Sequence, residues 1–173
     1  MSWPSVVTMV LALAIATAGC GGSGGSSSSS APSSTPAQSS TPTATAPETG
    51  VKITSMNVAG LGPVLVNAKR RTLYVFAPDK HSKVTCVSAC ASVWPPAFLP
   101  SGQKAVAAGS VKQSLLGSDP DPAGGRVITY AHWPLYAYVS DTAPGQAAGQ
   151  ALNLNGGLWY VISPSGKLIT KKP

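Results

Sequence analysis

The chain contains 173 residues, of which only 10% are charged, whereas roughly 25% are charged in a typical soluble globular protein. The formal net charge is +7, yet the basic residues are dispersed apart from runs at residues 69–71 and 171–172. Nucleic-acid binding needs a basic stripe or a recognisable module, and neither is visible, so we expect no nucleic-acid partner.

An apolar run at residues 6–18 has the length of a signal-peptide core. At about 13 residues it is shorter than the roughly 20 that span a bilayer, but it suits an export signal. Small residues then precede Cys20, as in the bacterial lipobox, whose cysteine receives a diacylglyceryl group. We therefore predict a signal peptide over residues 1–19 and a lipid anchor on Cys20 at the outer face of the cell membrane. Cleavage near Ala18 without lipidation is the alternative.

The segment that follows Cys20 has the composition of a linker. Residues 21–49 consist almost entirely of Gly, Ser, Thr, Pro and Ala. Such a segment has too little apolar surface to bury, so folding would not offset its conformational entropy. We predict that residues 20–49 form a disordered tether, which as a flexible coil would span roughly 30 Å. The folded domain is then predicted over residues 50–173.

Two segments of this domain share one pattern at an offset of 62 residues. Residues 73–79 and 135–141 both read Leu-Tyr-x-aromatic-x-x-Asp. Upstream, residues 64–66 align with residues 126–128 at the same offset. A β-branched run, a short turn and an aromatic-rich run together indicate a β-hairpin, so the sequence predicts two related hairpins. Their turns are placed at residues 68–71 and 131–133.

The aromatic residues of the two segments recur at every second position. Alternate residues of a strand share one face of the sheet, so the two aromatics of each segment project together. We predict that they fill the core between the hairpins together with two tryptophans. The predicted core aromatics are Tyr74, Phe76, Trp94, Tyr136, Tyr138 and Trp159.

An aspartate follows the second aromatic of each segment by three residues, at Asp79 and Asp141. Aspartate side chains commonly accept hydrogen bonds from backbone N–H groups of a turn. We therefore predict that each aspartate caps the turn that follows it. A catalytic carboxylate pair is the alternative, but the sequence places no third polar group to assist the two aspartates.

The rest of the domain adds strand and little helix. A strand is predicted at residues 158–162, and short helical segments at 86–93 and 109–116, the first ended by a Trp-Pro-Pro sequence. Residues 145–157 are rich in Gly, Asn and Gln and are predicted to loop over the surface. The fold class is therefore predicted as mainly β, a small antiparallel β domain built from two related hairpin repeats, with little helix.

The ordered set of motifs resembles a family of bacterial secreted repeats and predicted lipoproteins defined by the motif Tyr-x-(Phe/Trp/Tyr)-x-x-Asp. The resemblance covers about residues 60–168 and includes paired cysteines before the Trp-Pro-Pro sequence. It implies an extracytoplasmic location and a double-repeat architecture, and it leaves the chemistry open because the family has no established activity. The matching motif residues are Tyr74, Phe76 and Asp79 in one copy and Tyr136, Tyr138 and Asp141 in the other.

If Cys20 carries lipid, two cysteines remain, Cys86 and Cys90. In a helical turn their Cα atoms would lie roughly 6 Å apart, within the range that a disulfide accepts, and thiols outside the cytoplasm tend to oxidise. We predict a structural disulfide. The alternatives are thiol–disulfide exchange or a soft-metal site for Cu(I), in which His81 would be a third ligand and Met56 a remote fourth.

The sequence matches no catalytic template. It lacks nucleophile-elbow, zinc-protease and phosphate-loop motifs, and it has few histidine or acidic residues for acid–base chemistry. The predicted function is a membrane-anchored extracytoplasmic lipoprotein, a non-catalytic envelope module that binds an envelope component or a protein and needs no cofactor. The alternative is a copper-handling or electron-transfer accessory protein that uses Cys86 and Cys90.

Overall fold

The computed structural model describes residues 50–79 and 83–173, so the predicted signal peptide, Cys20 and the tether lie outside the described residues. The described part forms eleven strands: β1 (Gly50–Val58), β2 (Gly62–Asn67), β3 (Tyr74–Phe76), β4 (Phe98–Leu99), β5 (Lys104–Ala107), β6 (Leu116–Pro120), β7 (Arg126–Tyr130), β8 (Trp133–Pro134), β9 (Asn153–Leu154), β10 (Gly157–Ile162) and β11 (Leu168–Ile169). It also contains one short α-helix, α1 (Ala89–Val93), and 3₁₀ turns at Ala77–Asp79 and Gln113–Leu115.

Three sheets hold these strands together, with the strand orders β2-β1-β5, β11-β10-β3 and β4-β7-β6. Two short strands extend them, since β9 pairs with β10 and β8 pairs with β7. Every pair among these strands is antiparallel except β1 and β5, which run parallel. The prediction of a mainly β, mainly antiparallel domain with little helix is therefore confirmed.

Both predicted hairpins are present, and matching backbone hydrogen bonds define their equivalent residues. In the first hairpin the N–H of Leu73 donates to the carbonyl of Leu65 at 2.9 Å. In the second the N–H of Leu135 donates to the carbonyl of Ile128 at 3.0 Å. The strands after the two turns are thus related by an offset of 62 residues, but those before the turns by 63. The predicted alignment of residues 64–66 at an offset of 62 is wrong by one position.

The offset changes because the two turns differ in length. The first turn has three residues, 68–70, and its last, Arg70, adopts a left-handed φ of +61°. The second turn has two residues, Ala131 and His132, with φ values of +49° and +68° that fit a type I′ turn. Such turns match the twist of the flanking strands and usually contain glycine, which neither position has here.

The segment predicted as a surface loop, residues 145–157, is only partly exposed. Gly149 and Gln150 are buried within it, and its end forms a tight hairpin between β9 and β10. Asn155 and Gly156 make the turn of this hairpin, with φ values of +56° and +89°. An Asn-Gly pair is a strong hairpin signal because it tolerates the positive φ of a type I′ turn. The surface-loop prediction therefore holds for the exposed residues 145–146, 148 and 153–156, but it missed the burial of Gly149 and Gln150 and the hairpin at the end of the segment.

Strands β2 and β3 are buried on both faces, so their side chains alternate between two apolar clusters. Leu65 and Val75 belong to the first cluster, whereas Tyr74 and Phe76 belong to the second. Full burial of one Leu or Val side chain contributes about 1.5–3 kcal/mol, so strands buried on both faces are major sources of stability. The second cluster also holds both tryptophans predicted for the core.

The helical segments are short. Helix α1 occupies part of the predicted segment 86–93 and ends directly before the Trp-Pro-Pro sequence, as predicted. The predicted segment 109–116 contains a 3₁₀ turn instead of an α-helix. Within residues 50–79 and 83–173, no helix is long and apolar enough to cross a membrane.

Candidate functional site

Each motif tyrosine is hydrogen-bonded to the motif aspartate of the other repeat. The Tyr74 hydroxyl donates to Oδ2 of Asp141 at 2.5 Å. The Tyr136 hydroxyl donates to Oδ2 of Asp79 at 2.7 Å. All four residues are 0% exposed, so water does not compete for either bond. The motif therefore links the two repeats to each other by an exchange of partners.

The backbones of the two motif tyrosines are paired as well. The N–H of Tyr74 donates to the carbonyl of Tyr136 at 2.8 Å, and the N–H of Tyr136 donates to the carbonyl of Tyr74 at 2.9 Å. This reciprocal antiparallel bridge joins β3 to the segment that follows β8. Reciprocal side-chain and backbone bonds are the pattern of an approximate twofold relation between the repeats.

The second carboxylate oxygen of each aspartate holds the loop that follows it. Oδ1 of Asp79 accepts the backbone N–H and the hydroxyl of Thr85 at 2.9 and 2.6 Å. Oδ1 of Asp141 accepts the N–H of Ala148 at 2.9 Å. Each aspartate thus accepts a backbone N–H further along the chain, as predicted, while its other oxygen receives the tyrosine of the opposite repeat.

Four aromatic rings form a continuous stack in the second apolar cluster. Trp94 and Trp159 lie face to face at its centre, with ring centroids 3.8 Å apart and an angle of 3° between the planes. Phe76 stacks on Trp159 at 4.3 Å. Tyr138 stacks on Trp94 at 4.2 Å. Phe76 and Tyr138, the second aromatics of the two motif copies, therefore each stack on the tryptophan of the other repeat. The motif tyrosines Tyr74 and Tyr136 cross between the repeats in the same way through their hydrogen bonds to aspartate.

The motif tyrosines cover the sides of this stack. Tyr74 meets Trp94 edge-on with centroids 5.4 Å apart, and Tyr136 meets Trp159 in the same way at 5.2 Å. Such aromatic pairs contribute about 0.5–1.5 kcal/mol each beyond the burial of their area. The six predicted core aromatics therefore meet in one cluster, in which five are buried and Tyr138 is partly exposed.

A glycine lets the later loop lie against the stack. A Cβ on Gly149 would lie 2.6 Å from a ring atom of Trp94 and 3.0 Å from one of Tyr74. The N–H of Gly149 also donates to the Tyr74 hydroxyl at 3.3 Å. The absence of a side chain at this position is therefore required by packing, since the two rings are fixed by their own partners.

The environment of the motif tyrosines keeps their hydroxyls protonated. Burial raises the pKa of Tyr74 and of Tyr136 far above the usual value of 10.0, and the facing aspartate raises each pKa further. Burial also raises the pKa of Asp79, while the hydrogen bonds from Thr85 and Tyr136 oppose that rise. Both hydroxyls are therefore permanent donors at physiological pH.

The predicted disulfide between Cys86 and Cys90 is confirmed, with Cα atoms 5.2 Å apart. Cys86 is buried in the second apolar cluster, and Cys90 lies in α1 and is partly exposed. The carbonyl of Cys90 accepts the N–H of Trp94 at 2.8 Å. The disulfide thus fixes the short segment that delivers Trp94 to the aromatic stack.

A copper site receives no support from this arrangement. The sulfurs of Cys86 and Cys90 are bonded to each other, so neither is a thiolate ligand in this state. The Met56 sulfur accepts a hydrogen bond from the Arg70 guanidinium at 3.2 Å, and His81 lies outside the described residues. In the part of the chain that the structure describes, no three His, Cys, Asp or Glu side chains are grouped to hold a metal ion.

The interface between the repeats also shapes the surface charge. Two of the domain's four aspartates, Asp79 and Asp141, are buried there, which leaves Asp119 and Asp121 partly exposed. The Lys and Arg side chains of the described residues are all exposed or partly exposed. The surface is therefore more strongly basic than the composition of the domain indicates.

Sequence reasoning missed the exchange of partners, the contact at Gly149 and the role of Gln150. The side chain of Gln150 accepts the N–H of Val161 at 2.8 Å and donates to the carbonyls of Ile169 and Lys171. The duplication of tyrosine and aspartate is a signal for paired repeats, but it does not state which copy each residue contacts. A single Gly-Gln pair in a polar segment carries no such signal.

The matched regions of known proteins coincide with the two repeats. The family described as "secreted repeat of unknown function" matches residues 57–98 and 119–163, and each match contains one motif copy and one tryptophan of the stack. The chain matches no curated protein and no solved structure. The family description supports an extracellular location. The chain belongs to this family of secreted repeats of unknown function.

Proposed function

We propose that this protein is a lipid-anchored extracytoplasmic binding module without catalytic activity. The observation that supports the proposal is the position of the family motif, since five of its six side chains are buried between the repeats and Tyr138 is partly buried. Residues that hold two repeats together are not available to a substrate. The motif therefore serves folding, and function is left to the surface and the loops.

The aspartates of the motif are poor candidates for acid–base catalysis. Oδ2 of Asp79 and of Asp141 each accepts a buried tyrosine hydroxyl, and the other oxygens hold loops. A general acid or base must reach the proton of a bound substrate, which these carboxylates do not. No contact among the described residues favours the copper-handling alternative, because Cys86 and Cys90 are joined.

Two adjoining clefts of the described domain, of about 270 and 240 Å³, share Leu99 and Gln103 in their linings. Small-molecule sites usually enclose about 300–1,000 Å³, so both of these clefts fall below that range. An envelope component or a protein that contacts a broad surface fits the domain better.

The anchor in this proposal is Cys20. An apolar run suited to export precedes it, and a Gly/Ser/Thr/Pro-rich segment whose single charged residue is Glu48 joins it to the domain. Each buried methylene of an acyl chain contributes about 0.8 kcal/mol to membrane binding. A single acyl chain binds a membrane only marginally, and two chains together bind much more firmly. The domain would then lie roughly 30 Å from the membrane on average, the root-mean-square span of a flexible tether of this length.

Replacing Cys20 by Ala is expected to release the protein from the membrane fraction, because no other residue is proposed to carry lipid. Cell fractionation and metabolic labelling with a fatty-acid analogue measure the two consequences. Ser23→Ala, three residues further on, is the matched control and should keep both the label and the membrane location. Membrane retention of the Cys20→Ala variant, with no label on the parent protein, would refute the anchor.

A further inference from the structure

The end of β1 at which the chain enters the domain is strongly basic. Gly50, the first residue of β1, lies opposite Lys104 of β5. Ile53 lies opposite Asn67, so the turn that follows β2 is at the same end of the sheet as Gly50. We call this region the basic end. Its members are Lys52, Lys69, Arg71 and Lys104.

The charged groups of the basic end are open to solvent. Lys52, Lys69 and Lys104 are exposed, and Arg71 is partly exposed. None of these four side chains forms an ion pair with another described residue. Arg70 of the same turn is not counted, because its guanidinium donates to the sulfur of Met56 in the later half of β1. The positive charges are therefore not neutralised within the described part of the domain.

Acidic residues offset the basic end only to a small extent. Asp79 and Asp141 are enclosed between the repeats. Asp119 lies in β6 and Asp121 in the turn that follows it. One cleft is lined by Lys104 of β5 and by residues of β6, so β6 lies beside the basic end. Oδ1 of Asp121 accepts the N–H of Ala123 in that turn. Among the described residues, the four cations thus face at most two partly exposed carboxylates.

We propose that the basic end docks on anionic phospholipid headgroups of the membrane that holds Cys20. The inference rests on the proposed lipid anchor, because residues 20–49 lead from that anchor directly into Gly50. A tether of roughly 30 Å keeps the basic end near the surface, so docking is an intramolecular event at high effective concentration. Each Lys or Arg close to an anionic membrane strengthens binding roughly fivefold, but only within a Debye length of about 8–10 Å.

The opposite end of β1 supplies an internal comparison. The turn after Val58 packs against the C-terminal tail, where a Cβ on Gly60 would lie 3.5 Å from Cα of Pro173. Lys171 and Lys172 are therefore exposed at the end away from Gly50. Replacing Lys171 and Lys172 by glutamate changes the net charge as much as replacing two lysines of the basic end. The change is made far from the proposed docking surface, so this variant controls for net charge alone.

The test uses the mature chain, residues 20–173, carrying Cys20→Ala, so that neither an acyl chain nor the apolar segment 6–18 contributes. It is mixed with vesicles of phosphatidylcholine alone or with about 30% phosphatidylglycerol, and cosedimentation gives the affinity. Binding to the anionic vesicles should be at least about tenfold tighter at about 0.1 M salt and should approach the neutral level at about 0.5 M salt, because salt screens the attraction.

The charge variants decide whether the basic end is the docking surface. K52E/K69E should weaken binding to anionic vesicles by roughly 25-fold or more, whereas K171E/K172E should weaken it by less than about threefold. R71E/K104E is a second pair at the basic end, and circular dichroism checks that every variant is folded. Equal losses at both ends, or no preference for anionic vesicles, would overturn the proposal. Fatty-acid labelling of the parent protein, lost in Cys20→Ala, tests the anchor separately, so failure of either claim is distinguishable.

Discussion

Replacing Asp141 by Ala is expected to lower the free energy of unfolding by about 3 to 5 kcal/mol. The substitution leaves the Tyr74 hydroxyl buried without its acceptor, which costs about 1–3 kcal/mol, and it removes the carboxylate from a buried network. The freed N–H of Ala148 adds less, because that residue is exposed and water can reach it. Asp79→Ala should have a similar effect, because the Tyr136 hydroxyl loses its acceptor in the same way. Domains are usually stable by about 5–15 kcal/mol, so either change removes a large share.

Asp121→Ala is the matched control for these variants. Asp121 is partly exposed, and its Oδ1 accepts one backbone N–H in a surface turn, from Ala123 at 2.9 Å. Its replacement should cost no more than about 1 kcal/mol, because water can satisfy the freed donor. Urea unfolding followed by tryptophan fluorescence measures all three variants, since Trp94 and Trp159 form the centre of the stack. Losses for Asp141→Ala no larger than for Asp121→Ala would contradict the structural role of the motif.

The stability of the domain is expected to fall steeply above a pH of about 10. Burial raises the pKa of Tyr74 and Tyr136 in the folded state, whereas both return to about 10 on unfolding. When the folded pKa is raised, the contribution to stability is fully present below the unfolded pKa and is lost as pH rises towards the folded pKa. Each tyrosine therefore costs about 1.4 kcal/mol per pH unit, and the two together about 2.7 kcal/mol per unit.

The slope is measured from urea unfolding at a series of pH values between about 9 and 11.5, with tyrosinate absorbance recorded alongside. Tyr74→Phe should halve the slope, because it removes one of the two hydroxyls whose pKa is raised by burial. In the parent protein, the tyrosinate signal of Tyr74 and Tyr136 should appear only with unfolding. Ionisation of all five tyrosines while the fluorescence of the folded stack persists would contradict their burial as hydrogen-bond donors.

Features that depend on short-range patterns were predictable from the sequence. Strand alternation placed Tyr74 and Phe76 on one face, and the structure has both in the aromatic cluster. The spacing of Cys86 and Cys90 predicted their disulfide, since only the geometry of one turn is involved. The tight hairpin between β9 and β10 also depends on a local pattern, the Asn155-Gly156 pair. It was not predicted, although this sequence signal is present.

Features that depend on long-range contacts were not predictable from one sequence. Tyr74 contacts Asp141, which is 67 residues away, but pairing with Asp79 in the same motif copy would fit the repeat equally well. The offset before the turns was wrong by one residue because Val127 and Ile128 are both apolar and buried. Either residue could therefore be aligned with Leu65 of the first hairpin on its apolar character alone. Neither the spacing of apolar residues nor the strand propensity of the residues determines how the two hairpins pack against each other.

A double-mutant cycle between Tyr74 and each aspartate tests the exchange of partners most directly. Tyr74→Phe, Asp141→Ala, Asp79→Ala and the two double variants that contain Tyr74→Phe are compared by urea unfolding. Residues in direct contact usually show coupling of about 0.5–3 kcal/mol, whereas separate pairs are additive within about 0.3–0.5 kcal/mol. We expect coupling of at least about 1 kcal/mol between Tyr74 and Asp141 and near-additivity between Tyr74 and Asp79. Strong coupling of Tyr74 to Asp79 with none to Asp141 would show that each motif copy closes on itself, and the interlocked arrangement would be wrong.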